Sequence, residues 1–221
     1  MPVRINGATS GYVELAAPAV AGSVVMTLPA TTGTVATTAD TAAAGGMVLI
    51  TPTSVAGTGV TVSGGLVSFT TATAVSVNGC FTSTYENYVV VGTLTAASAI
   101  LGMRGRMRAA GTDNSSANYD GSTDIMAAAT GTITQSDGGA GASYFTGPGL
   151  ASGSEGAGFK IEFFAPALTQ RTGVIIHATR SAGLYFGSTY LTVTTAYDGF
   201  TWYASSNNIS GSLRVYGLRN S

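Results

Sequence analysis

Arg104, Arg106 and Arg108 stand two residues apart, the spacing in this chain best suited to binding chemistry. Side chains alternate between the faces of an extended strand, so the three guanidiniums project to one side. Leu101, Met103 and Met107 then project to the other. A guanidinium is planar, permanently charged and matches carboxylate or phosphate oxygens two at a time. Three in a row could capture anionic groups such as acidic surface sugars. The same row could also pair with acids of a neighbouring chain or sit in water. Loop aromatics offer a second way to hold a sugar ring: Tyr119, Tyr144 and Phe145, with the Trp202-Tyr203 pair nearby. Aromatics also fill sandwich cores, which is where Trp202 is expected. The candidate ligand-binding residues are therefore Arg104, Arg106, Arg108, Tyr119, Tyr144 and Phe145.

Other chemistries find little material. His177 is the single histidine and lies in the apolar run Val174 to Thr179. It is expected as a strand residue with a local hydrogen bond, because a triad base needs a nucleophile and an orienting group in contact. Cys80 is the single cysteine, which excludes an intrachain disulfide and a multi-cysteine metal site. It is expected as a small buried apolar residue. Asp113, Asp120 and Asp124 could gather oxygens around calcium. Their spacing departs from the EF-hand pattern, and Asp, Asn and Ser are ordinary turn residues. No pair of acids is marked out for glycan cleavage. The glycines from Gly147 to Gly153 do not open a helix, and the single lysine, Lys160, belongs to no phosphate-binding loop. The expectation is a non-enzymatic protein without cofactor or metal.

Charge is scarce. Asp, Glu, Lys and Arg make up 9% of the chain, and between Glu14 and Glu86 the only charged side chain is Asp40. A soluble domain carries about a quarter. Nine basic residues against ten acidic ones give a net charge of −1, so nucleic acid is not an expected partner. Proline and glycine interrupt every long apolar stretch, so membrane insertion is not expected either. The first residues lack the apolar run of a secretory signal, so synthesis in a cytoplasm without an export signal is expected. A surface this neutral is best explained if other copies of the chain cover much of it.

The elements that must hold these side chains are strands. Glycine occupies 31 of 221 positions, and Val, Thr, Tyr and Phe are frequent, a composition suited to pleated sheets and turns. Gly11 to Leu15 and Ser23 to Leu28 alternate, with Pro18, Gly22, Pro29 and Gly33 at the joints. Residues 1–45 read as a short extended β module ending in a hinge from Thr38 to Gly46. Residues 46–65 read as a linker or connecting strands, with a compact apolar strand at Met47 to Thr51. Residues 66–221 carry short strands, among them Tyr88 to Leu94, Ile100 to Arg108, Phe159 to Phe164 and Phe200 to Ala204. Polar and glycine-rich loops are expected at Gly111 to Gly121 and Ser136 to Gly158. Asn78-Gly79 and Asp198-Gly199 read as tight hairpin-type turns. The pattern predicts an all-β fold: the N-terminal module, then a jelly-roll-like antiparallel β-sandwich.

Residues 11–38 resemble the short module near the start of many tailed-bacteriophage fibre and minor virion structural proteins. The matching pieces are Gly11-Tyr12-Val13-Glu14-Leu15, Pro18-Ala19-Val20-Ala21-Gly22 and Thr27-Leu28-Pro29-Ala30-Thr31-Thr32-Gly33. The segments Ile209 to Asn220 and Phe81 to Val91 are similar to strands of β-sandwich domains in the same kind of protein. The resemblance implies a virion component assembled in the host cytoplasm, a homotrimer joined to other phage tail or head structural proteins through its N-terminal module. It implies a short tail fibre or adsorption protein that recognises a host-surface glycan without cutting it. The alternative it leaves open is a capsid decoration or head-fibre protein. The chain is shorter than long fibres of this kind, which fits a short fibre or a knob.

Overall fold

Alternation of small or apolar residues with polar ones carries most of the chain into strands. The computed structural model describes residues 3–6, 9, 12–15, 46–96, 102–136, 140–148, 156–180 and 183–219. The chain divides into two units, Met1–Thr41 and Ala42–Ser221. In the first, β1 (Val3–Asn6) pairs with β2 (Tyr12–Leu15) as an antiparallel hairpin, with Val3 opposite Leu15 and Asn6 opposite Tyr12. The joints from Pro18 to Gly33, the strand expected at Ser23 to Leu28, most of the hinge and Leu101 lie outside the described residues.

The second unit contains β3 (Met47–Ile50), β4 (Ser54–Ala56), β5 (Val60–Ser63), β6 (Leu66–Ala72), β7 (Ala74–Asn78), β8 (Asn87–Ala96), β9 (Met103–Ala109) and β10 (Thr112–Asp113). There follow β11 (Tyr119–Ala127), β12 (Ile133–Ser136), β13 (Phe145–Thr146), β14 (Gly156–Phe164), β15 (Gly173–Arg180), β16 (Gly183–Leu191), β17 (Gly199–Ala204) and β18 (Ile209–Leu218). No helix occurs among the described residues. The strands form two antiparallel sheets in a sandwich. The smaller has six strands in the order β10-β9-β17-β7-β4, with β13 beside β9. The larger has ten in the order β12-β11-β16-β15-β14-β8-β18-β6-β5, with β3 beside β18. There β18 pairs with β8 along its whole length, while its other edge is shared by β6 and β3.

The core lies between the sheets. On β14 the residues Ala157, Phe159, Ile161 and Phe163 are buried, while Gly158, Lys160, Glu162 and Phe164 face away. The smaller sheet contributes Val75, Val77, Met103, Met107, Phe200 and Trp202. Aromatic rings join the layers: Phe200 lies 5.4 Å from Phe163, and Trp202 lies 5.8 Å from Phe159, between ring centroids. Each large side chain fully buried in this way stabilises the fold by about 1.5–3 kcal/mol.

Several expectations change. Of the two readings of residues 46–65, a linker or connecting strands, the span forms strands: β3 pairs with β18, β4 with β7 and β5 with β6. Within the charge-poor stretch Val67, Phe69, Val75 and Val77 are buried in the core, while most residues from 46 to 64 stand exposed. The expected loop at Gly111 to Gly121 contains β10 and the start of β11, and the one at Ser136 to Gly158 contains β13 and the start of β14. Asn78-Gly79 and Asp198-Gly199 do not close hairpins. Each joins one sheet to the other, since β7 and β17 lie in the smaller sheet while β8 and β16 lie in the larger. The two links lie side by side, with Cys80 N and Phe81 N donating to Asp198 O at 2.9 and 3.1 Å. The positive φ that Gly79 permits (60°) serves this crossing.

Candidate functional site

The period-two spacing of the arginines is realised on β9. Met103, Gly105 and Met107 are buried, while Arg104, Arg106 and Arg108 occupy the outward face of the smaller sheet. Two adjacent strands complete that face. β17 places Tyr203 opposite Arg104 and Thr201 opposite Arg106. β7 places Ser76 opposite Thr201. Alternation splits the Trp202-Tyr203 pair: Trp202 is fully buried and Tyr203 half-exposed outside.

The three arginines have different surroundings. Arg108 is held on all sides. Its Nε donates to Asn78 Oδ1 at 2.9 Å, and its Nη1 donates to Ser76 Oγ at 3.2 Å and Thr201 Oγ1 at 2.7 Å. It also pairs with the Asp113 carboxylate, and its Nη2 donates to Gly111 O. Thr201 Oγ1 donates in turn to Asp113 Oδ1 at 2.7 Å. This guanidinium is consumed by the fold and is removed from the ligand-binding set. Its acid partner comes from its own chain, and is neither supplied by a neighbouring one nor replaced by water.

Arg104 and Arg106 are held by aromatic rings instead. The Arg104 guanidinium lies 4.2 Å from the centre of the Tyr144 ring, and that of Arg106 lies 5.2 Å from the Tyr203 ring. Nε of Arg106 donates to Ser143 O at 3.0 Å. Among the described residues neither guanidinium forms an ion pair. A guanidinium stacked on a ring keeps its in-plane N–H groups free to point at a ligand. Burial raises the Tyr203 phenol above its ordinary value, against the pull of Arg106 and Arg104, so the ring is neutral at pH 7. The array offers two cations and two hydroxyl-bearing rings on the outward face of the sheet. That suits a carboxylated or sulfated sugar: charge-assisted hydrogen bonds to the anionic group, ring faces against the pyranose.

Two of the six expected residues lie elsewhere. Tyr119 and Phe145 are buried, each only 1% exposed, and cannot stack on a ligand. Phe145 enters the core because Gly105 has no side chain: a Cβ there would sit 2.0 Å from the ring. Tyr119 ties the layers together, accepting from Met107 N at 3.0 Å and donating to Asn114 O at 2.9 Å. Of the loop aromatics only Tyr144 remains available, half-exposed beside Arg104. Tyr203 joins it, detectable in the sequence because it alternates with the apolar Phe200 and Trp202.

The other sequence candidates separate as well. Asp113 belongs to the smaller sheet and Asp120 and Asp124 to the larger, so the three acids do not converge. No metal-holding group of three His, Cys, Asp or Glu occurs among the described residues. Cys80 is buried, and that burial pushes its thiol far up, which opposes any nucleophilic role. His177 faces outward on β15, with its ring 5.3 Å from that of Phe186.

No protein-family model and no curated protein match this chain. Among solved structures, a peanut lectin with a nine-residue peptide aligns over 79% of this chain and 98% of its own, at 10% identity and a TM-score of 0.29. A likeness that low carries no functional argument.

Proposed function

We propose that this chain is a bacteriophage virion structural protein, a short trimeric tail fibre or adsorption protein that recognises an acidic host-surface glycan without cleaving it. The observation behind the recognition step is the array of Arg104, Tyr144, Tyr203 and Arg106 on the outward face of the smaller sheet. Two half-exposed cations, pre-oriented by aromatic rings and left without acidic partners among the described residues, suit a ligand that brings its own anion. The virion setting rests on the resemblance of residues 11–38 and of the later strands. In this reading the N-terminal module attaches and trimerises the chain, and the sandwich presents the array.

The test is the double substitution Arg104→Gln with Arg106→Gln, which leaves the Arg108 network whole. Binding to an immobilised carboxylated polysaccharide is expected to fall at least tenfold at about 150 mM salt, where exposed charges are partly screened, with the unfolding midpoint unchanged. Adsorption of particles carrying the variant is expected to fall in parallel. Unchanged binding and adsorption would remove the array from the recognition step. Electron microscopy of antibody-labelled particles locates the protein on tail or head.

A further inference from the structure

Every large apolar side chain that stands exposed among the described residues belongs to the larger sheet. Phe186 is 43% exposed, Tyr190 48%, Phe164 39% and Leu49 41%. The smaller sheet contributes none. Phe164 and Tyr190 flank Gly173 in one register row, so part of this apolar surface is contiguous, as at interaction sites.

Charge says what fits. One register row crosses six strands of this face: Asp124, Phe186, His177, Lys160, Val91 and Arg214. Asp124 and Arg214, at its two ends, are exposed, and neither forms an ion pair among the described residues. Lys160, in the middle, is neutralised by Glu162 at 2.7 Å. The row is therefore acidic at one end, basic at the other and apolar or internally balanced between.

We propose that a second copy of this chain packs on this face, related by a two-fold axis running along the strands between β14 and β15. That rotation lays the Asp124 end of one copy on the Arg214 end of the other, twice, and brings Phe186 towards Val91. The other in-plane two-fold, across the strands, would set Asp124 on Asp124 and Arg214 on Arg214. Sheets pack face to face with strand directions about 30° apart, which the two-fold along the strands accommodates. The area is sufficient: six strand spacings of about 4.8 Å by a nine-residue strand of about 30 Å give roughly 860 Å². A standard interface buries about 800 Å² per partner. This contact doubles whatever stoichiometry residues 1–45 set, and it does not depend on the glycan reading.

The full-length chain is compared with Asp124→Lys and Arg214→Glu by sedimentation at equal, tens-of-micromolar concentrations. Wild type is expected at twice the mass of either variant, with a dissociation constant at least tenfold lower. An equal mixture of the two variants is expected to recover the doubled mass. In the mixed pair the introduced lysine of one copy faces the introduced glutamate of the other, while the native Arg214 and Asp124 meet at the opposite end. Recovery also shows that both variants fold. Wild type that does not double overturns the proposal and leaves the face to a different protein. Doubled mass in both variants, or halved mass that mixing does not restore, overturns the self-complementary pairing. Retained polysaccharide binding by the halved variants separates this contact from the glycan site.

Discussion

The two outward faces of the sandwich are built from the same alternating strands and differ in what holds their side chains. On the smaller sheet Arg108, Asp113, Thr201, Ser76 and Asn78 bond to one another, and aromatic rings brace Arg104 and Arg106. On the larger sheet Phe186, Tyr190, Phe164 and Leu49 stand exposed, Phe186 beside the His177 ring and Tyr190 beside the Arg171 guanidinium. A polar face that satisfies itself can remain in water and display ligand-binding groups. An apolar face gains only when something covers it. Both faces carry few charges: Arg104, Arg106, Arg108 and Asp113 on the smaller sheet, with Asp124, Lys160, Glu162 and Arg214 among those of the larger.

The comparison breaks most directly at Arg108. Replacing it with methionine leaves the part-buried Asp113 without its cation, and the loss is expected at about 2–4 kcal/mol in chemical denaturation. A loss below about 0.5 kcal/mol, the size of an ordinary surface substitution, would mean that the polar face does not hold itself together.

Tyr119 tests the same sheet from beneath, since its hydroxyl crosses from β11 to the backbone of β9. Tyr119→Phe leaves the Met107 N–H unpaired and is expected to cost about 1–3 kcal/mol. Burial holds this phenol above its ordinary value. Its contribution is thus complete below about pH 10, where the unfolded tyrosine begins to ionise, and fades as pH rises towards the higher folded value. The alkaline loss of stability should be smaller in the variant, and an identical slope would contradict the assignment.

The smallest effect is expected on the larger sheet. Glu162→Gln breaks a partly exposed pair with Lys160 and should change unfolding stability by less than about 0.5 kcal/mol. A larger change would show that this face, too, depends on internal pairing.

What was legible in the sequence was alternation. The arginine row, the buried face of β14 and the burial of Trp202 follow from side chains pointing to opposite sides at successive positions. Tyr119 and Phe145 were misread because glycine and serine around them resemble loop, and a two-residue strand such as β13 shows no period. Nothing nearby in sequence shows that Gly105 makes room for the Phe145 ring. Asn78-Gly79 and Asp198-Gly199 have hairpin chemistry, but which strand follows a turn depends on pairings made elsewhere in the chain. The charge-poor run between Glu14 and Glu86 was read as needing cover from other subunits. Its strands β3 and β6 find their edge partner in β18, over a hundred positions away, which no local pattern announces. Of the proposed site, the outward placement of Arg104 and Arg106 was legible, and the diversion of Arg108 into a structural network was not.

The placement of β18 has a consequence for synthesis. It is translated after every strand it joins, yet it runs through the interior of the larger sheet and closes the open edges of β8, β6 and β3 at once. A nascent polypeptide that stops before residue 209 leaves those strands without their common neighbour. Such fragments should be aggregation-prone and cleared by proteases, so that assembly draws only on molecules translated through β18.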